Sequence, residues 1–176
     1  MEKDDSIIFC LDTSAFIDIN RYLVKLIPQL FAELDKLFNS GRIISHEIVY
    51  EEITTHSKRP DSLTKWIQPK QAFFKEISIK QTLLVADIVQ KFPTLISYKS
   101  EKNDADPWVV ATVLEQKSKP DLFSKIQDFV VVSTESEFIP NHLPAVCKYY
   151  SIRHFDLPDF FSASGWSIQL QTTWNP

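Results

Sequence analysis

Short apolar runs alternate along this chain with longer stretches whose apolar residues recur every three or four positions. Ile7 to Leu11, Arg42 to Ser45, Phe129 to Val132 and Ile152 to Phe155 read as short strands, because their apolar and β-branched residues are continuous rather than periodic. Helical spacing covers Pro28 to Phe38, with Pro28 suited to a first turn and Gly41 beyond the end as a stop. Ser45 is placed to cap a helix over His46 to Thr54, and Asp61 or Ser62 one that contains Leu63, Trp66 and Ile67. Residues 71–91 carry Leu83, Leu84, Ile88 and Phe92 at helical spacing, closed by Pro93. Tyr98 to Asn103 reads as a loop. A helix from Asp104 to about Gln116 follows, then one over Leu143 to Tyr150 and a final turn over Pro158 to Ala163 stopped by Gly165. The tail from Trp166 to Pro176 reads as either a strand or an ordered arm. Strands alternating with helices predict one α/β domain over residues 1–176: a mostly parallel central sheet with helices on both faces, a three-layer α/β/α architecture.

Composition narrows the chemistry. The sequence has 176 residues, enough to bury a core without disulfides or structural metals. With only two glycines, Gly41 and Gly165, no glycine-rich phosphate loop exists, which excludes P-loop and Rossmann nucleotide sites. Cys10 and Cys147 lie in apolar surroundings and read as buried free thiols; there is no C-x-x-C for zinc. The opening Met1-Glu2-Lys3-Asp4-Asp5 does not read as a signal peptide, and no apolar run approaches a membrane span, so the expected location is cytoplasmic. The formal charge of −4 argues against a nonspecific nucleic-acid binder. Setting aside Asp12, Glu52, Asp106 and Glu135, however, leaves 19 acidic residues against 19 basic ones, so a basic face for a polyanion is compatible with the balance.

Those four acids sit beside apolar runs, at predicted strand ends and helix starts. An open α/β sheet gathers its site residues there. Carboxylates brought together repel, and a hard divalent cation is the usual remedy. Each acid has a plainer reading: a helix cap for Asp12, a solvated helix face for Glu52 as for Glu47 and Glu51, and a turn acid for Glu135. Of Asp104 and Asp106, one serves the start of a helix and leaves the other free to face a site. Together they point to an acidic Mg²⁺ or Mn²⁺ centre acting on a phosphodiester.

The order of these motifs resembles the PIN-domain superfamily. The resemblance rests on Leu11-Asp12-Thr13-Ser14-Ala15-Phe16-Ile17-Asp18, on Val49-x-x-Glu52-Ile53, on Asp104-x-Asp106 followed by Val109-Val110-Ala111-Thr112, and on Ser133-x-Glu135-x-Glu137-Phe138. In that superfamily the last motif is usually Thr-x-Asp-x-Asp-Phe, so Glu135 carries one extra methylene. Gly41 to Ser45, Asn103 to Trp108, Val146-Cys147, Asp159 to Phe161 and Gly165-Trp166 are similar to a PIN subfamily described only as a domain of unknown function. The resemblance implies a Mg²⁺- or Mn²⁺-dependent ribonuclease of the VapC-like toxin kind. Its catalytic acids would be Asp12, Glu52, Asp104, Asp106 and Glu135, with Asp12, Asp106 and Glu135 as metal ligands and Asp104 an alternative to Asp106. Its partners would be an RNA substrate, a cognate antitoxin and a second copy of the chain.

Thr13, Ser14, Arg42, Lys58 and Arg59, with Lys99 and Lys102, are the candidate substrate contacts. Trp174, Phe160 and Tyr150 are the candidate partner anchors. Two other readings stay open: a PIN-like RNA- or protein-binding module without activity, and an aspartyl phosphatase using Asp12, for which Ser14 stands where a second acid is normally required.

Overall fold

The computed structural model describes residues 7–24, 27, 29–55, 61–96, 104–119 and 127–166. β1 (Ile7–Leu11) is the central strand of a five-stranded sheet in the order β3-β2-β1-β4-β5, formed with β2 (Ile43–His46), β3 (Phe74–Lys75), β4 (Asp128–Val132) and β5 (Arg153–Phe155). Every pairing is parallel. The helices are α1 (Thr13–Asp18), α2 (Leu30–Asn39), α3 (Glu47–Thr55), α4 (Ser62–Ile67), α5 (Ile79–Lys91), α6 (Asp106–Lys117), α7 (Leu143–Tyr149) and α8 (Leu157–Ala163). Helices cover both faces, because successive strand residues point to opposite sides. Cys10 Sγ reaches the Val109 carbonyl of α6 on one side at 3.9 Å. Phe9, one residue earlier, packs edge-on against Phe160 of α8 on the other, with ring centroids 4.9 Å apart. The three inner strands, β1, β2 and β4, are buried on both faces, which is why they read as apolar runs.

The chain leaves β1 towards β2 and β3, then returns to pair β4 with the other edge of β1. The carboxyl ends of β1 and β4 therefore flank a topological switch point, where a crevice opens above an open parallel sheet. Asp12 follows β1 there, with its N–H on the Val132 carbonyl at 2.9 Å. Ser133 follows β4, with its N–H on the Phe155 carbonyl at 3.2 Å.

Several expectations shift in detail. Ser45 does not cap α3; it lies within β2 and donates to the Leu11 carbonyl at 2.6 Å. The cap falls to His46, whose Nδ1 accepts the Ile48 N–H at 3.1 Å. The long helix expected over 71–91 begins only at Ile79: residues Gln68–Phe73 form a 3₁₀ segment and Phe74–Lys75 an edge strand. Ser78 and Gln81 close a capping box at its true start. Leu83, assigned to the apolar face, is 68% exposed. After α1 the chain continues as a π-helical turn, Ile19–Leu23, which the sequence reading omits. The loop expected over 98–103 and the tail after Trp166 fall outside the described residues.

Candidate acidic site

The pleat sets one row of side chains along the carboxyl ends. Cys10 pairs with Ile44 and Val131, and Val131 with His154. Two residues on from Cys10, Ile44 and Val131, Asp12, His46 and Ser133 return to the same face, the one covered by α6. His46 stacks on Trp108 of α6, with centroids 5.0 Å apart.

Asp12 caps α1 and is only 3% exposed. Its Oδ2 accepts the Ser14 N–H at 2.9 Å and the Ser14 hydroxyl at 2.7 Å. Its Oδ1 is buried with no hydrogen-bond partner among the described residues. Burial raises the Asp12 pKa against the bonds from Ser14, and Glu135 raises it further. Glu52 comes from α3: Oε2 accepts the Thr13 hydroxyl, and Oε1 accepts the Ala105 N–H at 3.0 Å, just before α6. Its pKa is raised by burial, with Asp12 and Asp104 adding to the effect against those two bonds.

Asp106 opens α6, and its carboxylate makes no hydrogen bond or ion pair among the described residues. Burial lifts its pKa well above the usual carboxylate range, followed by the charges of Asp12, Glu135, Glu52 and Asp104. Asp104 lies outside α6, ahead of its first turn. Glu135 lies in the loop after β4. Its Oε2 accepts the Leu143 N–H at 2.7 Å, supplying the cap of α7 that the His142 side chain does not, and its Oε1 is 3.6 Å from His142 Nδ1. Asp106 thus feels the charges of Asp12, Glu52, Asp104 and Glu135, which strand, helix and loop bring from distant parts of the sequence.

The other sequence candidates divide. Thr13 and Ser14 stand among the acids and hold their carboxylates, and the Ser14 oxygen also accepts the Thr134 N–H at 3.1 Å. Arg42 does not stand there. It is 7% exposed at the amino-terminal end of β2, the opposite end of the sheet, where Nε donates to the Ile7 carbonyl at 3.4 Å and the guanidinium lies over Phe9. It was legible as a cation but not as a buried strut. Lys58, Arg59, Lys99, Lys102 and Trp174 lie outside the described residues. Phe160 is fully buried and anchors no partner, and Tyr150 is half-buried with its hydroxyl on Asp87 at 2.9 Å. Glu47, read as solvated, accepts the Ile77 N–H at 2.7 Å.

Cys10 and Cys147 are buried free thiols whose pKa values burial pushes far up; for Cys147 the charges of Asp106, Asp12 and Glu135 follow. Neither can supply a thiolate nucleophile at neutral pH. Ser133 and His154 are the site neighbours that sequence reasoning missed. Ser133 is fully buried and its Oγ lies 2.8 Å from His154 Nε2. The Ser-x-Glu pattern pointed to Ser133, whereas nothing in the sequence joins it to a histidine 21 residues later.

Among the described residues no group of three or more His, Cys, Asp or Glu side chains is arranged to hold a metal ion. Both Glu52 oxygens and Glu135 Oε2 accept hydrogen bonds from Thr13, Ala105 and Leu143, whereas Asp12 Oδ1 and the Asp106 carboxylate accept none among the described residues. An all-oxygen pair of this kind suits Mg²⁺, which commonly takes one or two carboxylates and keeps several waters. A large apolar groove of about 630 Å³ lies elsewhere, lined by Tyr22, Leu23, Leu157, Pro158, Phe161 and Trp166 with Asp18 and Ser162. Among the described residues, no helix is long and apolar enough to cross a membrane.

No curated protein matches the chain in sequence. Among solved structures, a chain of DNA-bound VapBC from Salmonella typhimurium is similar at 15% identity and a TM-score of 0.50, over 85% of this chain and 98% of that one. A chain of VapBC2 from Rickettsia felis, bound to a DNA fragment from its promoter, gives 15% identity and a TM-score of 0.48 over the same shares. The Salmonella likeness, with the all-parallel sheet flanked by helices, shows a PIN-like α/β fold. In sequence, residues 9–168 match the family described as domain of unknown function DUF4411, and over that span the chain belongs to it.

Proposed function

We propose that this protein is a Mg²⁺- or Mn²⁺-dependent endoribonuclease and the toxin of a toxin–antitoxin pair. One observation carries the reading: Asp12 Oδ1 is a buried carboxylate oxygen with no hydrogen-bond partner among the described residues, and Asp106, which feels the Asp12 charge, accepts no hydrogen bond among them either. Uncompensated buried acids are costly and cluster where function demands them. Asp12 and Asp106 would hold the cation, with Glu135, whose Oε2 is engaged by the Leu143 N–H, contributing its charge. A cation held there would supply a more acidic coordinated water and polarise a phosphate oxygen.

The chain's own residues supply the rest. Ser14 fixes the Asp12 carboxylate through two hydrogen bonds, so the free Oδ1 has one orientation. Thr13 and the Ala105 N–H fix Glu52, which is poised with a raised pKa to accept a proton from an attacking water. Asp104, at the same entrance, is the alternative base. The partner reading extends from the VapBC complex to which the Salmonella chain belongs. An antitoxin arginine or lysine entering the acid cluster would replace the cation and pair with Asp12 and Asp106.

The test is Asp12→Asn against wild type, with Mn²⁺-dependent RNA cleavage and thermal unfolding read together. We expect cleavage to disappear while the metal-free protein unfolds at the same or a slightly higher temperature, since one repelling charge is gone. Wild type should gain stability on adding Mn²⁺, by about 2.7 kcal/mol at a hundred times its dissociation constant, and the variant should gain little. Undiminished cleavage by the pure variant would refute the catalytic assignment. A wild type that neither cleaves RNA nor responds to Mn²⁺ would establish the inactive binding module instead.

A further inference from the structure

We infer that His154 is a positioning residue for Glu135, acting through Ser133. The inference rests on the ribonuclease reading for its catalytic consequence and on hydrogen-bond geometry for its substance. Ser133 Oγ accepts the Glu135 N–H at 3.3 Å and lies 2.8 Å from His154 Nε2. His154 reaches it because β5 runs beside β4: Val131 pairs with His154, and Ser133, two residues on, shares that face. The other ring nitrogen, His154 Nδ1, is buried with no hydrogen-bond partner among the described residues. The ring is held neutral, since burial lowers its pKa against the raising influence of Glu137, Asp156, Asp12 and Asp159.

These facts fix the direction of the bonds. A serine hydroxyl has one hydrogen and two lone pairs, and a neutral imidazole has one donor and one acceptor nitrogen. A proton on Nε2 would leave the fully buried Ser133 hydroxyl hydrogen without an acceptor and Nδ1 without a donor. A proton on Nδ1 leaves a single orphan and gives a one-way chain, Glu135 N–H to Ser133 Oγ–H to His154 Nε2. The imidazole acceptor thereby holds the serine hydrogen on the β5 side and keeps an oxygen lone pair facing the Glu135 N–H. That bond anchors the near end of the loop. Glu135 Oε2 on the Leu143 N–H anchors the far end, eight residues on. Between these two anchors the Glu135 carboxylate is set beside Asp12 and Asp106, both of which feel its charge. His154 touches neither the acids nor a substrate in this scheme.

The experiment compares His154→Gln, His154→Asn, Ser133→Ala and Ser133→Ala with His154→Asn, on the full chain. Glutamine carries its amide to about the position of Nε2 and can accept from Ser133, whereas asparagine mimics only Nδ1. We expect His154→Asn to lower kcat for RNA at saturating Mn²⁺ by at least tenfold with KM changed less than twofold. His154→Gln should recover to within about threefold of wild type, and the double variant should be no slower than Ser133→Ala alone. A purely structural histidine would lower the unfolding temperature of both substitutions alike and give multiplying effects in the double variant; that pattern, or an unchanged kcat in His154→Asn, overturns the inference. The imidazole nitrogen resonances of the ¹⁵N-labelled wild type read the chain without any cleavage: a protonated Nδ1 upholds it and a protonated Nε2 overturns it. A wild type inactive on RNA but with Nδ1 protonated refutes the ribonuclease reading while leaving the hydrogen-bond chain standing.

Discussion

Asp106 is half-buried, opens a helix and makes no hydrogen bond among the described residues, a combination that folding alone does not favour. The amino end of α6 gives back part of the cost through the macrodipole, but its neighbours Asp12, Glu135, Glu52 and Asp104 all oppose its ionisation. The folded-state pKa lies above the unfolded value, so the ionised carboxylate weakens the fold above that raised pKa and ceases to do so below the ordinary carboxylate range. Asp106→Asn should therefore raise the unfolding temperature in metal-free buffer at neutral pH. The gain should shrink as pH falls through the raised pKa and vanish towards pH 4, and saturating Mg²⁺ should reverse it. Thermal melts across pH with and without Mg²⁺ check this, and a substitution that destabilises at every pH would mark Asp106 as an ordinary helix-start acid. Arg42 makes the opposite point at the same scale. Its charge suggested a phosphate contact, yet its place before β2 puts it at the end of the sheet remote from the acids, tied to the Ile7 carbonyl and Phe9.

The elements show how far a sequence carries such a reading. β1 and β4 were legible as unbroken apolar runs and α6 by its helix start and apolar residues, and their ends located Asp12, Glu135 and Asp106. β3 was not, since two residues give no periodicity and Phe74 is placed by its packing under α3 and α2. The start of α5 was legible in Ser78-x-x-Gln81 but was overridden by leucine spacing, and Leu83 turned out to face solvent. The extra methylene of Glu135 could be counted in the sequence; what it reaches could not. The structure gives it a use, since the carboxylate caps α7 at Leu143 while remaining within electrostatic reach of the other acids. Two substitutions separate these uses. Glu135→Gln keeps an oxygen for the Leu143 N–H and removes the charge, so metal-free stability should hold or rise. Glu135→Ala removes the cap and should lose about 1 kcal/mol relative to Glu135→Gln, or roughly 2–4 °C in a chain of this size. Equal unfolding temperatures would mean that the Leu143 bond contributes nothing.

At the scale of the whole molecule, parallel topology makes the site. Because β1 and β4 are neighbours in space but separated by three crossover connections, their carboxyl ends bring together, at one opening above the sheet, acids that local sequence cannot connect. The formal charge of −4 is concentrated in part at that opening, and the rest of the chain balances at 19 acidic and 19 basic residues once Asp12, Glu52, Asp106 and Glu135 are set aside. A cation there would remove the repulsion that an RNA backbone meets, which ties substrate entry to metal occupancy. On the proposed reading the enzyme would harm the cell that makes it, and a basic side chain entering the same acids in place of a metal would be the means of control. Expression of the wild-type chain alone in a bacterium should therefore arrest growth, Asp12→Asn at the same soluble level should not, and Mg²⁺ should compete with an arginine-bearing antitoxin for the purified protein. Equal growth of the two strains would remove the toxin reading, and inhibitor binding that is indifferent both to Mg²⁺ and to Asp12→Asn would place the partner away from the acids.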